Sequence, residues 1–204
     1  MKYASEKPFS DQLEAWLRRK GDKTIEGLGE VFEDKSFAIT FLLLMILPAT
    51  PLPTGGLTHL FEVIVVVLCL EIIAGRQTIW LPEKWRKKHL GDAFTGKVIP
   101  KMMKYIRWFE KYSSPRGRLF FRLPLVPRLL ALVIMLFTLT ALFAIPFSGL
   151  DTLPSLGVVL ISLAIILDDI YLLVAGTVVG SIGLGLVIAL GGAGLHAIQH
   201  FFGG

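Results

Sequence analysis

Residues 47–56 read LPATPLPTGG, with FAITFLLLMI before them and LTHLFEVIVVVLCLEIIAG after. Pro48, Pro51 and Pro53 remove three backbone donors and, with Gly55 and Gly56, prevent a continuous helix. Carbonyls freed in this way cannot face lipid and need water, protein or substrate. The stretch is therefore either a turn at the far headgroup region or a break at depth that lines a polar cavity, as the broken helices of transporters do. The limb before it, Phe37 to Leu47, reaches roughly 16 Å as a helix, half of a hydrocarbon core of about 30 Å, so it spans only if the helix begins earlier. Residues 24–35 offer that start, with Thr24 as N-cap and Ile25, Leu28 and Phe32 on one face. The limb after it, Leu57 to Ala74, reaches about 27 Å. A re-entrant hairpin and an ordinary two-helix hairpin are both open at this point.

The composition makes bilayer the expected solvent. The chain has 204 residues, 53% of them hydrophobic and 18% charged, with a mean hydropathy of +0.65, too apolar for a soluble domain of this size. Its apolar residues are concentrated in runs at 37–47, 57–74, 123–147 and 153–190, which predicts an all-α polytopic membrane protein. The N-terminal stretch MKYASEKPFSDQLEAWLRRKGDK has no apolar core of the signal-peptide kind, so the membrane segments themselves are expected to direct insertion. One cysteine, Cys69, lies inside an apolar run and excludes an intramolecular disulfide or a multi-cysteine metal site.

Charge is distributed unevenly. From Arg76 to Arg128 there are fourteen Lys and Arg against three acids, whereas residues 1–36 hold seven basic against eight acidic. The positive-inside rule places the central loop in the cytoplasm, and the N-terminal segment leans the same way. Within the loop, KVIPKMMKYIRWFEKY at 97–112 sets Ile99, Met102, Met103, Ile106 and Phe109 on one helical face, with Lys97, Lys101, Lys104 and Lys111 largely opposite. That pattern predicts an amphipathic helix lying in the membrane surface, its charge matched to anionic headgroups and not to nucleic acid. Trp80, Trp85 and Trp108 suit an aromatic belt.

A second break resembles the first. Pro146 set over Pro48 aligns ILPATPLPTGG with AIPFSGLDTLP, and the break then includes Gly149, Asp151 and Pro154. Carried along the following limbs, the same offset lays Asp169 over Glu71. Two Pro/Gly-broken segments in corresponding places point to paired pseudo-repeats, parallel or inverted, with a site at their interface. The organisation expected is an N-terminal amphipathic segment at 1–36, a first membrane hairpin at 37–75, a basic cytoplasmic loop at 76–122, and a second membrane repeat with a Gly-rich terminal helix at 123–204.

Carboxylates in apolar runs supply the site candidates, because an Asp at a helix centre carries a penalty of about 2.5–3.5 kcal/mol on insertion scales. Glu62 and Glu71 lie in the first pair of limbs, and Asp168 and Asp169 interrupt the last apolar run. In the structural alternative Glu71 pairs with Arg76 at the interface and the aspartates mark a helix end. In the functional one Glu71 and Asp168 or Asp169 are proton- or cation-linked groups, and Arg76 or Arg128 receives an anion through its planar fork. GAGLHA at 192–197 matches a dinucleotide signature only formally. His196 and His200 lack a third ligand, so neither metal nor cofactor is expected, and no catalytic constellation is present. Gly176, Gly180, Gly183, Gly185, Gly191, Gly192 and Gly194 are expected to let helices approach closely.

LPATPLPTGG, the GRQTIWLP box at Gly75 to Pro82, the Glu110, Pro115 and Arg116 cluster in FEKYSSPRG, and the IPF…LP…DD stretch together resemble the ExoD family of bacterial exopolysaccharide-synthesis membrane proteins. The similarity runs from about Leu28 to about Gly180. Where the family usually has Glu-Arg-Asp-Gly this chain has Leu167, Asp168, Asp169 and Ile170, and where family members often have Asn in the second break it has Gly149, Leu150 and Asp151. The resemblance implies a multi-pass protein of the bacterial inner membrane that supports exopolysaccharide production, without a known reaction. Joined to the repeated breaks, it suggests a non-enzymatic carrier of an anionic or lipid-linked species coupled to protons or cations. The competing class is an accessory protein that docks polysaccharide-synthesis enzymes, and either class suits a homodimer.

Overall fold

The computed structural model describes residues 8–18, 35–50, 57–76, 99–144 and 148–202, with side chains followed to Leu190. Every regular element among them is helical. In chain order they are α1 (Phe9–Arg18), α2 (Ser36–Met45), α3 (Leu57–Ile73), α4 (Ile99–Tyr112), α5 (Arg118–Phe121), α6 (Val126–Leu142), α7 (Thr152–Leu167) and α8 (Ile170–Phe202). The helix candidate at 24–34 lies outside the described residues, as do Pro51, Pro53, Gly55, Gly56 and Pro146.

α2 and α3 flank the first break, and α6 and α7 flank the second. The chain leaves α2 at Ile46 and turns through a buried Pro48. The second break closes with Gly149 at φ +70°, a left-handed turn that glycine adopts without strain. Asp151 then stands at the N-cap of α7. Pro154, which the sequence reading assigns to the break, sits inside the first turn of α7, where a missing N–H leaves no hydrogen bond unmade.

Both hairpins point the same way. Lys35, at the head of α2, donates to Asp168 at the tail of α7. At the other hairpin pair, a Cβ placed on Gly75 would stand 3.1 Å from an Arg128 guanidinium nitrogen, so the tail of α3 meets the head of α6. The bundle thus has a loop end, where these residues gather, and a break end.

Close approach of α7 and α8 organises the second half. A Cβ on Gly157 would come within 2.6 Å of the Gly180 Cα, one on Gly176 within 2.8 Å of the Ile161 amide nitrogen, and one on Gly183 within 2.5 Å of the Pro154 ring. Of the glycines expected to allow close packing, Gly176, Gly180 and Gly183 do so within one chain, antiparallel along α7, and Gly191, Gly192 and Gly194 lie outside the residues whose side-chain surroundings are described. Gly185 has nothing within 4 Å. GAGLHA lies in the interior of α8, with no strand or turn of the kind a dinucleotide fold needs.

Around a core that includes Phe41, Leu68, Ile134, Phe137, Val158 and Ile161, the outer faces remain apolar. Leu60, Val63, Val67 and Leu70 line the outside of α3, Leu129, Leu132 and Leu136 that of α6, and Val174, Val178 and Ile182 that of α8. Helices apolar all round, with the surplus turned outward, are those of a bilayer or a large assembly. By length and composition Ile170–Leu190 can cross a membrane alone; α2, α6 and α7 are apolar but shorter.

The amphipathic helix foreseen at 97–112 is α4, but Met103 and Ile106, on the apolar face assigned to lipid, are covered by protein. Met103 and Ile106 are buried in the same core as Leu13 and Trp16 of α1, and α1 packs on α4. The cause is a polar latch: the Glu110 carboxylate accepts from the Ser10 amide at 2.9 Å and from the Ser10 hydroxyl, capping α1 from outside its own sequence. Glu14 joins the latch by pairing with Arg107 as well as Arg18. Replacing Glu110 with Ala is expected to weaken α1 docking by about 1–2 kcal/mol, a cap together with a charge-assisted bond. Limited trypsin digestion reads this as faster cutting after Arg18, with the remaining bundle intact.

Candidate functional site

The residues singled out from sequence fall into two groups at the loop end. One is the corner between α7 and α8. Asp168 closes α7 in the left-handed conformation, φ 54° and ψ 35°, which Asp tolerates better than most side chains. Its neighbour's amide reaches back to the Ala164 carbonyl at 3.0 Å, the six-to-one bond of a Schellman-type end. Lys35 then places its ammonium 2.6 Å from the Ile166 carbonyl and 3.0 Å from Asp168 Oδ2, satisfying a free helix-end carbonyl and the carboxylate together.

Asp169 is 3% exposed and fully engaged. Oδ1 accepts from the Tyr171 amide at 2.8 Å as the N-cap of α8, and Oδ2 accepts from the Ser113 hydroxyl at 2.8 Å and the Ser114 amide at 3.1 Å. Burial pushes this carboxyl up, but the bonds from Ser113, Tyr171, Ser114 and Leu172 outweigh it and hold the group below its ordinary range. Gly117 completes the corner by donating to the Asp168 carbonyl at 2.8 Å, in a place where a Cβ would strike the Phe121 ring at 2.7 Å. Both aspartates thus join the end of α4, the head of α2 and the α7–α8 turn.

The other group is at the tail of α3. Glu71 is buried and partnered. The Arg76 amide donates to its carbonyl at 3.0 Å, and Arg128 stands beside Gly75. Arg76, Arg116, Arg118, Arg122 and Arg128 are all exposed around this end, with the Arg116 guanidinium 4.9 Å from the Tyr171 ring centre. The structure sets Arg128 against Gly75, the neighbour of Arg76 in the chain, and puts Asp168 with Asp169 at the α7–α8 corner.

A third group lies at the break end, around Glu62, which the apolar-run pattern marks as a membrane carboxylate without assigning it a role. Glu62, on the second turn of α3, is 0% exposed, and His59 Nδ1 lies 2.8 Å from its Oε2. Glu62 Oε1 has no partner among the described residues, and neither does the buried hydroxyl of Ser155 on the first turn of α7. The other buried hydroxyls differ: those of Thr40, Thr138 and Ser162 donate to carbonyls one turn back. Asp151, from the second break, is near enough to act weakly on Glu62 through space. The signal in the sequence is a His and a Glu three apart in an otherwise apolar limb.

With this geometry in place, comparison with known proteins adds a family. The model of the family described as "Exopolysaccharide synthesis, ExoD" matches residues 9–189. The chain is also similar to an uncharacterized protein of Synechocystis sp., 24% identical over 199 residues, covering 96% of this chain and 90% of that one. No solved structure matches.

Proposed function

The chain belongs to the ExoD family of exopolysaccharide-synthesis proteins, and from that premise we propose that it is a membrane-embedded carrier for an anionic or lipid-linked species used in polysaccharide assembly. The observation that carries this reading is a bundle whose outer faces on α3, α6 and α8 are apolar, while one end exposes several arginines, Arg76 and Arg128 among them, and the other encloses a buried carboxyl. Lipid against those faces removes the conflict of exposed Leu and Val with water. The arginine-rich end then belongs at the cytoplasmic headgroups, and a phosphate or phosphate-linked headgroup is the ligand that guanidinium forks suit. The common direction of the two hairpins favours a parallel repeat over an inverted one.

Asp168 and Asp169 hold the corner in this scheme, and the exposed arginines make first contact with the anion. In proteoliposomes the protein is expected to speed transbilayer movement of a polyprenyl phosphate. Arg128→Gln should lower the rate about tenfold, the worth of one charge-assisted bond, with melting unchanged. No acceleration by the wild-type protein under any gradient would end the carrier reading.

One observation favours the accessory role instead: α4 turns Tyr105, Trp108 and Tyr112 outward beside Lys104 and Lys111, an aromatic and cationic face of the kind that docks partners. Reversing Lys104 and Lys111 to Glu separates the two, since it releases a bound synthesis enzyme in the accessory case and leaves flux intact in the carrier case.

A further inference from the structure

A carboxyl group at 0% exposure with one oxygen unbonded is an anomaly that no other described carboxyl shares. A buried carboxylate is tolerated when it is paired and its remaining lone pairs are bonded. Glu62 meets half of that condition. His59 occupies Oε2, while Oε1 has no donor among the described residues. The elements packed on α3 supply no further charge at this depth. α2 contains no titratable residue, and the one in α6, Arg128, is at the opposite end. Asp151, from the second break, adds a repelling carboxylate. The surroundings are therefore rich in acceptors and short of one donor, and the change that relieves the unpaired charge with the fewest additional atoms is protonation of the carboxyl at Oε2, which leaves Oε1 a neutral carbonyl oxygen that is less costly to bury unbonded.

The placement also gives the proton a route. His59 lies one turn nearer the break end than Glu62, and its side chain is 37% exposed whereas that of Glu62 is 0%. The imidazole thus stands between the surface and the buried carboxyl, with one nitrogen committed to Oε2 and the other ring nitrogen left for the approaching proton. Glu62 is about 7 Å along α3 from its start, and Ser155 about 4 Å along α7 from its own. Each unsatisfied oxygen therefore lies within the first two turns of the helix that follows its break.

We propose that Glu62 and His59 form a proton-exchange site that opens to the break end of the bundle. A proton from water adds to the free ring nitrogen of His59. The Nδ1 proton moves to Glu62 Oε2, and the site is left as neutral imidazole and neutral carboxylic acid, one proton gained. Release runs the same steps backward. With the arginine-rich end in the cytoplasm, this site faces the outer side, from which protons move inward down their gradient. The inference rests on the membrane placement proposed above, but not on transport.

Infrared difference spectroscopy of the full-length protein in lipid, stepped through pH, tests it without any flux measurement. The expected result is a carbonyl band of a buried carboxylic acid that is absent in Glu62→Gln and present in Glu71→Gln. The midpoint of that band should move by roughly one unit or more in His59→Gln, the size of a direct charge neighbour. Survival of the band in Glu62→Gln, or an unmoved midpoint in His59→Gln, overturns the proposal. Should Glu62→Gln fail to fold, carbodiimide labelling of the wild-type protein decides: modification mapped to Glu62 and not to Glu71 supports the site, and no modification of Glu62 at any pH overturns it. A band assigned to Glu62 together with no polyprenyl-phosphate flux would refute the carrier reading and leave this site standing.

Discussion

Gly157→Ala is expected to destabilise the purified bundle by about 2 kcal/mol, although alanine is the better helix former by about 1 kcal/mol. The added methyl would sit 2.6 Å from the Gly180 Cα, 2.8 Å from the Gly180 nitrogen and 3.0 Å from the Gly176 carbonyl. All three are backbone atoms, so no side chain can turn away and the helices must separate. Separation also undoes the seat of Pro154 against Gly183 further along the same seam. Gly180→Ala should cost less, because its methyl meets the Phe137 ring, which can shift, even though that ring is buried. Gly185→Ala should raise the melting temperature, since nothing lies within 4 Å and only the helix-propensity gain remains. Gly157→Leu should prevent a monodisperse fold altogether. Melting in detergent, followed by circular dichroism, compares the variants. A Gly185→Ala protein as damaged as Gly157→Ala would mean that glycine acts through flexibility and not through the α7–α8 seam.

The seam was legible in the sequence because small residues repeated along an apolar helix have few other uses in a bilayer. The breaks were legible for a similar reason: Pro48 and Gly149 end helices wherever they fall. What could not be read was any bond between segments distant in the chain. Asp168 and Asp169 were visible as charges that an apolar run must accommodate, but the partners that accommodate them are Lys35, Ser113, Ser114 and Gly117, 51 to 133 residues away. The same limit misassigned the apolar face of α4. Periodicity identified Met103 and Ile106 as facing something greasy, but that α1 shares the core there, held by the Ser10–Glu110 and Glu14–Arg107 contacts, is a matter of residues far apart in the chain. Glu62 shows a different limit: as one carboxylate among several it looks ordinary, and its interest appears only when burial and the empty oxygen are seen together. The aspartates that hydropathy made conspicuous are the best satisfied, and the glutamate it made inconspicuous is not.

That contrast makes Asp169 the second large effect. Asp169→Ala should remove about 3 kcal/mol: about 1 for the N-cap of α8, and the rest for the Ser113 hydroxyl and Ser114 amide left facing a methyl in a buried corner. Asp169→Asn should fall between. Its amide oxygen still caps Tyr171, but its NH2 then opposes the Ser114 N–H, whereas the Ser113 hydroxyl can turn to accept. The two variants therefore divide the capping contribution from the bridge to the end of α4. The pH dependence separates them again. The Asp169 carboxyl is held below its ordinary value in the folded chain, so the stability it contributes is complete above the unfolded value of about 3.9. That stability is lost as pH falls through the lower folded value. The wild-type protein should thus lose more of its melting temperature than Asp169→Asn between pH 5 and strong acid, the gap between the two closing as the wild-type carboxylate is protonated. Equal acid sensitivity in both would mean that the corner does not depend on the charge of Asp169, and its bonds to Ser113 and Ser114 would count only as neutral ones. If instead the gap closes as expected, Asp169 holds the α7–α8 turn in its ionised form, and its role there is that of a structural charge.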